Sequence, residues 1–350
     1  MKTWQKLKQN PKLWSRYLLR GQIYALIREF FVSRNFIEIE IPLLAPALPT
    51  ESYLEIFATK LLDRNRNSQN AYLTTSPEMF LKKLLVAGAG NCFSITKSFR
   101  NTETNSFLHN PEFSILEWYR VNANYKDVMK DTEKLILYIY EQLKPNHTNK
   151  PILTYQNQTI DLSLPWQRLS VTQAFSKFAK IDLLSNLTLK KLNATASKKG
   201  YQINNQNTWE EVYNQIYLNE IEPHLGKSKP TIIYDFPSSM AALAKKKSSD
   251  PQFAERFEVY IGGLELGDAY SELTDAIEQE ERFKKELQEI KRLNKTRYPI
   301  DSDFITALKT GLPRCSGLAM GLDRLIMLFA NVPKIQDILF FPSDELWKKP

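Results

Sequence analysis

Four stretches of this sequence concentrate side chains able to hold and activate charged substrates. In the first, Ser76-Pro77-Glu78, a hydroxyl and a carboxylate stand at the start of a helical segment. A serine cap, a proline at the first helical position and an acid in the first turn are also a complete structural explanation by themselves. The second stretch runs from Ser98 to Tyr119, where two strand-like segments flank a polar loop carrying Arg100, Glu103, His109 and Asn110. An arginine at the start of such a loop can fork onto a phosphate. Glu117 and Tyr119 are two residues apart and share one face of their strand. An acid beside a phenol suits an ammonium ligand; a cross-strand polar pair on a solvated face is the alternative.

The third stretch is Glu255 to Glu272. Gly262-Gly263 reads as a two-residue hairpin turn that pairs Ile261 with Leu264 and Tyr260 with Glu265. Glu258 then lies diagonally from Glu265 on the same face, within reach of a shared cation. Two carboxylates held together without a counter-charge are unfavourable, so magnesium is expected there. Separate solvation of the two acids is the weaker alternative, because Phe257, Tyr260 and Leu266 surround them. The fourth stretch, Cys315 to Phe329, reads as a strand of small residues running into an amphipathic helix with Arg324 in its first turn. A cation at that end opposes the helix dipole unless an anion sits beside it. A phosphate resolves the conflict, and so does a salt bridge to Asp323 or another acid.

These groups need a scaffold, and the pattern supplies one. Ile23, Leu26, Ile27, Phe30 and Phe31 fall on one helical face, and Phe36 to Ile41 alternates like a strand that Pro42 ends. Further strands are predicted at 71–75, 92–99, 113–120, 231–235 and 257–261. Helices fit 77–87, 126–143, 171–179, 209–222, 275–293 and 322–329. Hairpin-sized loops between strands predict an α+β fold, a mixed and mostly antiparallel sheet flanked by helices, in a single domain over residues 1–350. The Asn-, Gln- and Lys-rich stretch from about 145 to 229 reads as peripheral helices. Neither a Walker loop nor a G-x-G-x-x-G is present.

The 350 residues are 43% apolar and 25% charged and include 19 Phe, 16 Tyr and 6 Trp, which excludes a disordered or fibrous chain. Two distant cysteines argue against a disulfide framework or a cysteine zinc site, and three histidines against a histidine metal centre. With no long apolar run and no apolar leader, the expectation is a reduced, cytoplasmic protein away from membranes. A net charge of +8 fits a polyanionic partner, but on charge alone a lysine-rich solvated surface is the better explanation.

Taken together, the four stretches resemble the signature motifs of class II aminoacyl-tRNA synthetases in the lysine branch. The helix and strand ending at Pro42 resemble the dimer-forming motif 1, Arg100 to Tyr119 motif 2, and Gly317 to Phe329 motif 3. The nearest resemblance is to short paralogues of that branch that attach (R)-β-lysine to elongation factor P. Only about twenty residues precede the motif 1 helix, so no N-terminal anticodon-binding OB domain is expected, such a domain needing on the order of a hundred. Ala319 stands where lysyl-tRNA synthetases carry glycine.

The resemblance implies that Arg100 and Arg324 are catalytic, holding the α- and γ-phosphates of ATP. Glu103, His109, Asn110, Phe113, Glu265, Leu266 and Gly321 complete the nucleotide site, and Glu258 and Glu265 hold Mg2+. Ser76, Pro77 and Glu78 take the carboxylate and amine end of the amino acid. Glu117, Tyr119 and Glu272 take its side-chain ammonium, beside Asp268 and Ala319. The implied reaction is activation of lysine or β-lysine as an adenylate, followed by transfer to a lysine of elongation factor P by a homodimer. A minimal synthetase charging tRNA, or an inactive relative that only binds nucleotide or RNA, are the alternatives. Two departures stand out. Thr102 occupies the place of the motif 2 acid, in a loop one residue longer, which shifts the acid to Glu103. Asp268-Ala269 replaces an Asn-Gly pair, adding a carboxylate that should strengthen cation binding.

Overall fold

The computed structural model describes residues 1–104, 106–144, 150–204 and 206–347. The chain opens with helices α1 (Thr3–Gln9) and α2 (Trp14–Val32). Four strands follow, β1 (Ile37–Glu38), β2 (Leu44–Ala45), β3 (Ala58–Leu62) and β4 (Ser68–Leu73). Helix α3 (Glu78–Val86) leads into the long pair β5 (Cys92–Phe99) and β6 (Glu112–Val121), and then α4 (Tyr125–Leu143). The middle of the chain holds β7 (Ile152–Tyr155), β8 (Gln158–Asp161), β9 (Gln167–Ser170), α5 (Val171–Ala174), α6 (Leu189–Lys198) and α7 (Trp209–Ile216). The last part holds β10 (Thr231–Pro237), β11 (Phe253–Ile261), β12 (Leu264–Ser271), α8 (Ala276–Arg292) and α9 (Ser302–Gly311). Strand β13 (Cys315–Gly321), α10 (Leu322–Ala330) and α11 (Ser343–Leu346) complete it.

Eight strands form one sheet in the order β1-β5-β6-β13-β12-β11-β10-β9. Every pairing is antiparallel except those at the two edges, β1 with β5 and β9 with β10. One face is dry. Leu116, Trp118, Phe257, Val259, Leu318 and Met320 pack there against Ile23, Ile27, Leu135, Ile136, Leu325 and Ile326 of α2, α4 and α10. Helix α4 presents that stripe from a capping box, in which Asn124 and Asp127 satisfy each other's backbone N–H. On the opposite face two separate cores form. One joins α5 and α7 to Ile233, Phe236 and Tyr260; the other joins α3, α8 and α9 to Cys92, Tyr119 and Cys315. Between these cores the central strands β6, β13, β12 and β11 are left to line a cavity.

Three expectations need correction. The alternating segment 36–41 is strand only at Ile37–Glu38, because it lies on the sheet edge with β5 as its one neighbour. The apolar stripe Ile23, Ile27, Phe30 and Phe31 is fully used by the chain's own core, so it carries no argument for a second copy. The stretch from 145 to 229 is not purely helical. Residues 145–149 lie outside the described residues, β7 and β8 form a hairpin, and β9 is the far edge of the main sheet. No helix among the described residues is long and apolar enough to cross a membrane.

Candidate active site

The site is built on one row of the sheet. The register places Ser94 opposite Glu117, Glu117 opposite Ala319, Ala319 opposite Asp268, and Asp268 opposite Glu258. Residues directly opposite one another in a sheet point to the same face. Four neighbouring strands therefore bring Glu117, Ala319, Asp268 and Glu258 to a cavity of about 350 Å³. The Gly262-Gly263 turn forms as expected, both glycines at positive φ, with Ile261 opposite Leu264 and Tyr260 opposite Glu265. Beyond Glu265 the register breaks. Leu266 and Gly267 together oppose Val259, and this bulge turns both Glu265 and Asp268 toward the cavity although they are three apart. Glu258 thus stands opposite Asp268, and through the Tyr260–Glu265 pair it also keeps its expected diagonal relation to Glu265.

The acids in this row are not without a counter-charge. Arg256 forks between them, its Nε donating to Asp268 Oδ1 and its Nη2 to Glu258 Oε1, both at 2.9 Å. Glu258 also accepts from the Tyr260 hydroxyl at 2.8 Å. Burial, opposed by Arg256 and reinforced by Glu265 and Asp268, still pushes the Glu258 carboxyl up to about 8. Among the described residues no group of three His, Cys, Asp or Glu side chains converges as a metal site. Glu258 and Glu265 nevertheless line the same cavity, and their mutual repulsion fits Mg2+, which is commonly held by one or two carboxylates with substrate phosphates and water.

At one end of the cavity stand two further arginines. Arg324 lies in the first turn of α10, as expected, but its partner is not Asp323. Asp323 instead accepts from Arg20 at 2.5 Å and from the Ser114 N–H at 2.8 Å. Arg324 donates to the Glu265 carbonyl at 2.8 Å, lies 2.6 Å from His109 Nε2, and has the Glu265 carboxylate at 3.6 Å. Burial and the neighbouring Arg324 charge hold the His109 imidazole below its usual range. That keeps it neutral, with its Nε2 lone pair on Arg324 and its Nδ1 2.9 Å from Ser106 Oγ. Arg100 lies over the Phe113 ring, 5.2 Å from its centroid. Thr102 takes the left-handed conformation at φ 65°, a strained choice for a β-branched residue, and does not line the cavity. Glu103 does line it, 3.6 Å from His109. Asn110 is buried and already committed, its amide donating to the Glu112 carbonyl and accepting from the Ser343 N–H. Gly321 faces open space, since a Cβ there would meet no protein atom closer than 4.0 Å.

The other end of the cavity is acidic. Ser76 and Glu78 reach it while Pro77 does not, and Glu117 accepts from the Tyr119 hydroxyl at 3.2 Å. Burial, with Glu78 adding to it, drives the Glu117 carboxyl well above its ordinary range. Tyr119 itself is behind the wall. Its ring packs so close to Gly317 that a Cβ there would fall 2.4 Å from it. Glu272 is not at the cavity either: Lys82 of α3 is buried between Glu78 and Glu272 and ion-pairs with both. Sequence reading missed Lys82, Arg256, and the Glu51 and Tyr53 side chains that close the cavity from a distant loop. Lys82 carried a signal, since it sits four residues after Glu78 on a helix.

A family model described as tRNA synthetases class II (D, K and N) matches residues 2–345. The lysine–tRNA ligase of Carboxydothermus hydrogenoformans is 34% identical over 333 residues, covering 95% of this chain and 66% of that protein. The chain therefore spans a little under two thirds of that relative's length. The elongation factor P–(R)-β-lysine ligases of Salmonella arizonae and Salmonella paratyphi B are each 36% identical over 344 residues, covering 98% of both chains.

Proposed function

The chain belongs to the class II tRNA synthetases of the D, K and N type, and from that premise we propose that it activates lysine or (R)-β-lysine with ATP and transfers it to a lysine side chain of elongation factor P. The observation that carries this reading is the polarity of one cavity: Arg100 and Arg324 at one end, and Glu78 and Glu117 around Ala319 at the other. That charge pattern suits a polyphosphate at the first end and an amine at the second. The match to the β-lysine ligases over 98% of both chains favours the protein acceptor. The likeness to a lysine–tRNA ligase keeps tRNA charging as the second reading.

In the first step the amino-acid carboxylate attacks the α-phosphorus of ATP, the bond from that phosphorus to the α,β-bridging oxygen breaks, and pyrophosphate leaves. Arg100 neutralises charge on the α-phosphate and Arg324 on the γ-phosphate. Mg2+ held by Glu258 and Glu265 would neutralise phosphate charge. Asn110 fixes the end of the loop, and neutral His109 aims Arg324. Glu78, steadied by Lys82, takes the amine end, and Glu117 takes the side-chain ammonium. In the second step the acceptor amine displaces AMP, so no enzyme nucleophile is needed.

Amino-acid-dependent exchange of pyrophosphate into ATP, run over a panel of amino acids, tests the activation step. Label from radiolabelled β-lysine should then appear on elongation factor P and not on a tRNA control, and transfer should weaken with salt more than exchange does, because a +8 chain attracts an acidic partner over a screened distance. Label on tRNA alone would make the minimal synthetase the better answer.

The reading includes a cytoplasmic homodimer. With the α2 stripe turned inward, a surface open to pairing is the β1 edge with the outward Val32, Ile37, Leu43 and Leu44. Light scattering at micromolar protein should return twice the chain mass; a concentration-independent monomer mass rejects the dimer.

A further inference from the structure

Residues 49–55 form a strap across the cavity mouth, pinned at both ends. The Tyr298 hydroxyl donates to the Pro49 carbonyl at 3.1 Å and accepts from the Glu51 N–H at 3.2 Å. Glu286 accepts from the Ser52 N–H at 2.8 Å, and Lys295 donates to the Ser52 carbonyl at 2.7 Å. On the other side the Asn101 N–H donates to the Glu55 carbonyl at 2.7 Å, joining the strap to the loop that carries Arg100. With its backbone held, Glu51 turns its carboxylate into the cavity, where the Tyr53 hydroxyl donates to Oε1 at 2.7 Å. Tyr53 is 64% exposed, so this pair stands where solvent and a large acceptor enter.

Most of the other acids of the cavity are occupied. Glu78 is paired with Lys82, Glu258 and Asp268 with Arg256, Asp323 with Arg20 and Glu265 with Arg324. Glu103 has only the neutral His109 beside it, on the loop that faces Arg324. Glu117 has no cation but lies deep in the sheet row. His109 is spoken for on both ring nitrogens. Of the cavity carboxylates without an ion pair among the described residues, Glu51 is the one on the strap, with Arg100 and Glu78 beside it, whereas Glu103 stands by His109. The charges it feels most are Arg100 and Glu78, the two groups between which the reacting acyl carbon lies in the function proposed above.

We propose that Glu51 is the catalytic base of the transfer step, accepting the proton that leaves the acceptor nitrogen as the amide bond forms. The inference rests on that proposed function. The acceptor ammonium gives one proton to solvent and its nitrogen lone pair attacks the acyl carbon. The bond from that carbon to the phosphate oxygen breaks, and AMP leaves with the electron pair as a dianion. The second proton passes from nitrogen to Glu51 and out through the mouth. Burial, with Glu78 and Glu286 adding to it and Arg100 and the Tyr53 hydrogen bond opposing it, brings the Glu51 carboxyl up to about 7. Tyr270 and Tyr298 near it are phenols whose burial keeps them neutral. Transfer should therefore rise as pH increases through about 7, where Glu51 becomes ionised.

The test compares the whole protein with its Glu51→Gln variant, using three nucleophiles against the adenylate: elongation factor P, Nα-acetyl-lysinamide, and hydroxylamine, whose weakly basic nitrogen passes its second proton to water without a positioned base. Amide formation with the two lysine amines should fall about a hundredfold, the low end of general-base effects, and lose its inflection near neutral pH. Hydroxamate formation should fall by a few-fold at most. An equal fall with hydroxylamine, an unchanged rate with the lysine amines, or an inflection that survives in the variant would overturn the assignment. Wild-type transfer to Nα-acetyl-lysinamide but not to elongation factor P would reject the acceptor while the small amine still decides on Glu51. No hydroxamate with any amino acid would overturn both proposals.

Discussion

Replacing Arg324 with alanine should cut amino-acid-dependent pyrophosphate exchange about a thousandfold, the scale seen when a positioned charge on a transferring phosphate is removed. The fold should survive. Arg324 sits in the first turn of α10, bonded only to the Glu265 carbonyl and to His109 at the cavity wall, while Leu325, Ile326 and Leu328 of the same helix do the packing. Removing a cation from the positive end of a helix also relieves an unfavourable placement. The same variant has a second readout. Burial and the Arg324 charge together depress His109, so taking the charge away should raise the imidazole pKa toward its ordinary value, which a proton titration by NMR would follow. Surviving exchange, or a chain that unfolds, would show that Arg324 is structural rather than a phosphate ligand.

Lys82→Met should be the most destabilising single change at the site, by about 3–5 kcal/mol in a denaturant titration near pH 8. Methionine fills the space but leaves Glu78 and Glu272 buried against each other without their shared cation. Burial pushes the Lys82 ammonium down, but Glu272 and Glu78 more than offset it, so the net direction is up. A lysine raised in the fold contributes stability that is fully present below its unfolded pKa and is lost only as pH climbs through the higher folded value. Glu272 is displaced the other way from its usual charge state, pushed up to about 8 by burial and by Glu78 against the pull of Lys82. Without Lys82 the Glu272 carboxyl protonates more readily. The deficit of the variant should therefore shrink as pH falls from 8 toward 5, and a deficit independent of pH would mean that lost packing, not unpaired charge, is the cause.

What could be read from the sequence was local. The 92–99 strand, the Gly262-Gly263 turn, the shared face of Glu117 and Tyr119 and the helix starting after Gly321 all follow from short-range periodicity or turn chemistry, and all are present. What escaped was set by partners far along the chain. Arg256 looks like one more charge in an alternating strand until the sheet brings Asp268 opposite Glu258. Lys82 looks like a solvated helix residue until Glu272, almost two hundred positions on, closes over it. Glu51 lies in a loop whose course depends on Tyr298 and Glu286. The α2 stripe was legible as apolar, but periodicity cannot say whether such a face meets the chain's own sheet or a second copy, and here it meets the sheet.

The bulge at Leu266-Gly267 has a consequence for how this site can change over time. On its turn side, the register that aims Glu265 is anchored by Gly262-Gly263. On its far side, the register that aims Asp268 is anchored by pairing with Ala319. A strand without the extra residue would lock the two acids into one alternation, so that any shift serving one substrate would swing the other acid out of the cavity. With it, Glu265 and Asp268 are aimed from independently anchored registers within a single hairpin. Under the function proposed above, substitutions at 268, 269 and 319 can be sampled for new amines while the Glu265 half of the hairpin stays where it is, which makes this one-residue irregularity a joint at which specificity can diverge without loss of the underlying chemistry.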